Sequence, residues 1–244
     1  MKVRETLTEK MKSGTLHMTL IDPAKQEPAK AAEIGEVASG FGTDAIMVGG
    51  STGVTQENLD DTIKAIKAKS NAPVIYFPAG ANAMSKYADA IYFMSMLNSR
   101  TVRMVIREQM KGAPIVRKLG IEPISMGYII VAPGMKVGEV GEADVIPRDD
   151  PQLAAAYALT AEYLGMQSVY LEAGSGAPQP VPEDMIRTVR SAISVPLIVG
   201  GGIRDAETAA KVKSAGANVV VTGTVVENGN FSKRLESIIR AVKH

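Results

Sequence analysis

Eight short apolar runs, each separated from the next by a stretch of helical or loop character, constrain this chain more than any other feature. They fall at residues 16–21, 45–48, 74–77, 90–93, 127–131, 168–171, 197–199 and 219–221. Each is mostly β-branched or aliphatic without polar alternation, the pattern of a strand buried on both faces. Between several of them apolar residues recur at helical spacing: Leu59, Ile63 and Ile66; Ile186, Val189 and Ile193; Leu235, Ile238, Ile239 and Val242. Pro182, Glu183 and Asp184 form a helix-start signal, and Asp205 is placed to cap another helix. Strands alternating with helices imply an α/β fold with a parallel sheet. Eight such strands in 244 residues favour a closed (β/α)8 barrel over an open doubly wound sheet. No linker or break in composition divides the chain, so one domain over residues 1–244 is expected.

The last three runs end in small residues: YLEAGSGA after Tyr170, VGGGIR after Val199, and VTGT after Val221. Glycine at a strand end lets backbone approach a ligand, because no Cβ intervenes. Where such ends adjoin helix starts, their N–H groups converge on a point suited to a phosphate monoester. The candidate phosphate site is therefore Gly174 to Gly176, Gly201 to Gly202, and Gly223 to Thr224. One such loop is ordinary turn chemistry, but three in succession favour a site.

Between the third and fourth runs lies PAGANAMSKYA, too short and too rich in breakers for a helical crossover, whereas a long helical stretch from Ser99 to Leu119 follows the fourth. A gap in the outer ring beside residues 92–97 leaves an apolar groove to the barrel mouth, unless a packed loop or a neighbouring subunit covers it.

Asp22, in LIDPAK, and Ser51, in VGGSTG, end the first and second strands. A carboxylate and a hydroxyl on one rim can share a Mg2+ ion with substrate phosphates; the alternative is a helix cap at Asp22 and a turn at Ser51. Glu172 sits one residue before the glycine cradle, where a carboxylate is costly without a task. It is placed to orient or deprotonate a substrate hydroxyl, with Tyr170 as a hydrogen-bonding neighbour, or else to pair with Arg204. The only histidines are His17 and His244, which rules out a Ser-His-Asp triad and a histidine metal cluster; His17 is expected to be structural. GGGIR lacks the spacing of a dinucleotide fingerprint, and nothing near Lys25 marks it as a Schiff-base lysine.

Lys plus Arg is 27 against 26 for Asp plus Glu, so no net basic surplus argues for nucleic acid or an anionic membrane. Absence of cysteine excludes disulfides and thiol chemistry and fits a cytoplasmic enzyme. No stretch approaches the roughly eighteen apolar residues of a membrane span.

LIDPAK, VGGSTG, FPAG, SMLNS, YLEAGSGA, VGGGIR and VTGT occur in order and spacing that resemble the geranylgeranylglyceryl phosphate synthase family, including its bacterial PcrB-like relatives. The resemblance implies a modified TIM barrel whose third outer helix is replaced by a loop. It implies transfer of the prenyl group of geranylgeranyl diphosphate to the 3-hydroxyl of sn-glycerol 1-phosphate, in archaeal ether lipid synthesis. It makes Asp22 and Ser51 the Mg2+ ligands, assigns glycerol phosphate binding to Tyr170, Leu171, Glu172, Ala173, Gly174, Ser175, Gly176, Gly201, Gly202, Gly223 and Thr224, and makes Glu172 the hydroxyl base. A homo-oligomer is expected. A longer heptaprenyl donor, or a phosphosugar isomerase or lyase on the same barrel, are the alternatives.

Overall fold

The strand-like runs close on themselves. In the computed structural model, which describes residues 2–227 and 229–244, eight parallel strands form a closed barrel in which β1 (Leu16–Ile21) pairs with both β2 (Ala45–Val48) and β8 (Val219–Thr222). Between them follow β3 (Val74–Tyr76), β4 (Ala90–Met96), β5 (Glu122–Ile130), β6 (Ser168–Glu172) and β7 (Leu197–Gly200) in sequence order. Closure leaves no sheet edge, and it explains why alternate residues of each strand feed two different cores. The inner core holds Met18, Met47, Tyr92, Tyr128, Tyr170 and Val221. The outer one, between sheet and helices, holds Ile46, Ile91, Ile129, Leu171 and Val220.

Helix α1 (Val3–Met11) closes the lower end of the barrel, with Leu7 in the inner core. The outer ring comprises α2 (Pro28–Gly40), α3 (Gln56–Lys69), α4 (Glu108–Leu119), a short α5 (Met135–Val140), α6 (Pro151–Tyr163), α7 (Glu183–Ala192), α8 (Ala206–Ser214) and α9 (Ser232–Lys243). Start signals act as the sequence suggests: the Asp205 side chain accepts the Thr208 N–H at 2.8 Å, and Pro182 precedes α7.

No helix joins β3 to β4. The connecting loop is pinned on both sides instead. The Met84 backbone exchanges two hydrogen bonds with the Gln56 side chain of α3, each 3.1 Å, and the Ala81 N–H donates to Glu108 of α4 at 3.1 Å. Beside this gap the barrel wall is tallest, with β4 and β5 in register from Ala90↔Glu122 to Met96↔Tyr128. Strand β5 starts five residues before the run at 127–131 because Pro123, poor in a central strand, is tolerated near a strand's first residue. The helical stretch expected from Ser99 begins later. Ser99 forms an isolated bridge to Ala143, and a π-helical turn at Arg103–Arg107 leads into α4.

Candidate active site

Strand β6 carries Tyr170 and Glu172 on its inward face and Leu171 on its outward face, the two-residue period of a strand. Leu171 and Ala173 therefore place their side chains in the outer core. Glu172 is buried at the rim, where its Oε1 accepts the Gly174 N–H at 2.6 Å and its Oε2 accepts the Tyr128 hydroxyl at 3.3 Å. Desolvation pushes its carboxyl above the ordinary value, and hydrogen bonds from Gly174, Tyr170 and Tyr128 oppose the shift. Burial, and then the neighbouring Glu172 charge, hold the Tyr128 and Tyr170 hydroxyls far above the usual phenol value, so both remain donors.

Two of the glycine loops meet at this carboxylate, and the third joins them through Thr224. Gly201 has φ +84°, and a Cβ there would lie 2.5 Å from Glu172 Oε1 and 2.6 Å from Gly174 N, so only glycine fits. The Gly176 N–H donates to Thr224 Oγ1 at 3.1 Å, and Ser175 Oγ lies 3.4 Å from the same hydroxyl, which ties the loop after β6 to that after β8. Gly202, at φ +72°, packs against the Gln179 backbone, and Gly223 lies beside Leu20. Arg204 does not pair with Glu172. Its guanidinium donates to the carbonyls of Gly176 at 2.7 Å and Ala177 at 2.9 Å and so braces the cradle from behind.

Across the mouth, Asp22 and Ser51 line the same cavity as Glu172 and Ser175. Asp22 caps a turn rather than a helix: its Oδ1 accepts the Ala24 N–H at 3.0 Å, and α2 begins six residues later at Pro28. Desolvation raises the Asp22 carboxyl, with the Ala24 hydrogen bond and the Lys25 charge opposing. Lys25 itself is paired with Glu227 at 2.8 Å. A Cβ at Gly50 would overlap the Asp22 carboxylate, so the second glycine of VGGSTG makes room for that group. Among the described residues no three His, Asp or Glu side chains cluster as a metal cage, which leaves Asp22 with Ser51 as the rim's candidate cation donors.

The cavity has a volume of about 240 Å3. From its polar end it runs past Phe77 and Tyr128, whose rings are 5.5 Å apart and edge to face, into the gap between β3 and β4. There Phe93, Met94 and Met104 make it apolar. It reaches from the inner core to the outer one, where buried Met84 and Ile91 line it. Met84 lies over Gly112 of α4, where an added Cβ would stand 2.9 Å from its terminal methyl.

Three residues of this site escape a reading of the sequence. Tyr128 reaches Glu172 because β5 and β6 pair Tyr128 with Tyr170. Gly200 is required because a Cβ there would overlap the Tyr170 hydroxyl, and Gly49 because one would overlap the Phe77 carbonyl. The signal for the glycines stood in the doubled and tripled runs themselves. Tyr128 had none. His17 is structural as expected: it is buried, its ring nitrogens lie 3.0 Å from the Thr43 and Thr222 hydroxyls, and desolvation lowers it to about 3.

Residues 6–244 match the model of the PcrB family. A geranylgeranylglyceryl phosphate synthase of Pyrococcus horikoshii is 52% identical over 99% of this chain and 96% of its own length. Another, from Methanosarcina acetivorans, is 53% identical over 94% of each chain. The crystal structure of (S)-3-O-geranylgeranylglyceryl phosphate synthase from Thermoplasma acidophilum, in complex with substrate sn-glycerol-1-phosphate, superposes with a TM-score of 0.97 at 46% identity and covers 100% of this chain and 99% of that one. A tryptophan synthase alpha chain from Legionella pneumophila shares the barrel alone, at 14% identity and a TM-score of 0.67.

Proposed function

The chain belongs to the PcrB family, and from that premise we propose that it transfers the geranylgeranyl group from geranylgeranyl diphosphate to the 3-hydroxyl of sn-glycerol 1-phosphate, giving geranylgeranylglyceryl phosphate and diphosphate. The observation that carries this reading is one cavity with two characters. A buried carboxylate stands at one end with Ser175 and Gly223 of two glycine loops, and an apolar groove occupies the place of a missing helix at the other.

The glycerol phosphate sits with its phosphate toward the N–H groups of Ser175, Gly202 and Thr224 and its 3-hydroxyl toward Glu172. Glu172 accepts the hydroxyl proton as the new C–O bond forms at the prenyl C1 and the diphosphate departs. A carboxyl raised by burial is the better base near neutral pH, provided it is ionised before attack. The Tyr128 hydroxyl fixes the orientation of the carboxylate. Holding both reactants at near-attack distance supplies much of the acceleration. Burying a geranylgeranyl tail contributes gross binding on the order of 10 kcal/mol, at roughly 0.8 kcal/mol per CH2.

Mg2+ belongs to this reading. The half-buried Asp22 carboxylate forms no ion pair among the described residues and, with the Ser51 hydroxyl, fits a hard cation that keeps waters and shares diphosphate oxygens. Bound there, the ion supplies charge neutralisation to the leaving diphosphate. Exposed Leu153, Tyr163 and Leu164 on and just after α6 support assembly as a homo-oligomer.

The test is incubation with labelled sn-glycerol 1-phosphate and prenyl diphosphates of graded length, with and without Mg2+. Organic-extractable product with the geranylgeranyl donor is expected. Absence of transfer from every donor rejects the proposal, and a preference for a much longer donor replaces the substrate while keeping the reaction.

A further inference from the structure

The chain's near-zero net charge conceals a strongly uneven distribution. Between Arg100 and Leu119 stand six cations, Arg100, Arg103, Arg107, Lys111, Arg117 and Lys118, and one carboxylate, Glu108. Glu108 is turned inward, bonded to the Ala81 N–H at 3.1 Å and to Lys111 at 2.9 Å. The same segment exposes Val102 by 58%, Ile106 by 56% and Met110 by 62%, three large apolar side chains four residues apart, and Ile115 by 37% further along. Each is followed directly by an exposed cation: Val102 by Arg103, Ile106 by Arg107, Met110 by Lys111. Arg100 and Arg103 have distant acidic partners, Asp144 at 3.6 Å and Glu142 at 3.8 Å. Arg107, Arg117 and Lys118 have no ion pair among the described residues. The opposite face supplies Met104, Gln109 and Gly112 to the groove, so this helix separates the apolar cavity from solvent.

An apolar stripe flanked along its length by cations is the pattern of a helix that lies in a lipid interface, with apolar side chains below the headgroups and cations among them. We infer that the outer face of residues 102–118 docks on the surface of an anionic lipid bilayer, with the groove wall resting on the membrane. A second copy of the chain fits this face poorly. Two copies pairing through it would set cation rows against each other, and four exposed apolar side chains fall short of the roughly 800 Å2 per partner of a stable interface. A bilayer accepts both features at once, and it is where amphiphiles with long hydrocarbon tails partition. Docking needs no prenyl donor, so it stands or falls apart from the transfer reaction.

The experiment is sedimentation of the full-length protein with phosphatidylglycerol vesicles and with phosphatidylcholine vesicles. Binding to the anionic vesicles only, reversed by high salt, is expected, because each cation at such a surface is worth roughly a fivefold change in partition coefficient. Ile106→Ser with Met110→Ser, and separately Arg107→Glu with Lys118→Glu, each lower that coefficient at least about tenfold. Both variants keep the wild-type melting temperature and, with detergent-dispersed donor, wild-type transfer. No binding to either vesicle, or variants that bind as wild type does, overturns the inference. It is equally overturned if the substitutions leave vesicle binding intact and instead dissociate an oligomer in the ultracentrifuge, which assigns the face to a second copy.

Discussion

At the scale of single residues, the chain keeps two buried ionisable groups for opposite reasons. Glu172 retains a carboxylate where burial resists it, and the hydrogen bonds from Gly174 and Tyr128 only partly offset that cost. With its folded value raised, stability from this group is fully present below the unfolded value and is lost as pH rises through the folded one. At neutral pH the unliganded protein therefore carries a penalty at the group proposed as its base. His17 works the other way. Its ring is held neutral between Thr43 and Thr222, and its folded value of about 3 lies below the ordinary 6.5, so stability present above 6.5 is lost as pH falls toward 3. The melting temperature should thus begin to fall as pH drops below about 6.5, and His17→Gln should flatten part of that slope. A thermal-denaturation series in pH checks this, and identical slopes for both proteins would remove His17 from the account. Both residues could be singled out from sequence, Glu172 by its place before AGSG and His17 by the lack of any partner for chemistry. Tyr128 could not, because the separation of 44 positions from Glu172 is bridged only by strand register.

At the scale of elements, the replacement of one outer helix by a pinned loop opens the groove that the proposed reaction needs for its prenyl tail. The absence was legible, since PAGANAMSKYA cannot form a crossover helix. The loop's path was not, because the Gln56 and Glu108 contacts that pin it come from flanking helices. The groove is lined by apolar side chains, and Met84 stands in its wall over Gly112. Removing the Met84 side chain should lengthen the space. In a graded-donor assay, Met84→Ala is expected to raise kcat/KM for donors longer than geranylgeranyl diphosphate by roughly tenfold, the effect of burying about two more CH2 groups. Unchanged donor preference would place the end wall elsewhere. The bounds of β4 and β5 pass beyond their apolar runs because the two strands pair with each other from Ala90↔Glu122 to Met96↔Tyr128, which local composition does not signal.

At the scale of the whole molecule, the barrel gathers onto one rim residues spread from Asp22 to Thr224, and parallel strand order alone accomplishes this. The order was readable because every strand is buried on both faces and so announces itself as an apolar run. The surface was less readable, since a net charge averages away the cations beside the groove. The proposed function depends on one event, removal of the glycerol 3-hydroxyl proton by Glu172 beside a departing diphosphate. The direct test is steady-state transfer by Glu172→Gln with geranylgeranyl diphosphate saturating, together with its affinity for sn-glycerol 1-phosphate. Turnover should fall by roughly 100-fold or more while glycerol phosphate still binds and the melting temperature at neutral pH rises; turnover at the wild-type rate would contradict the account.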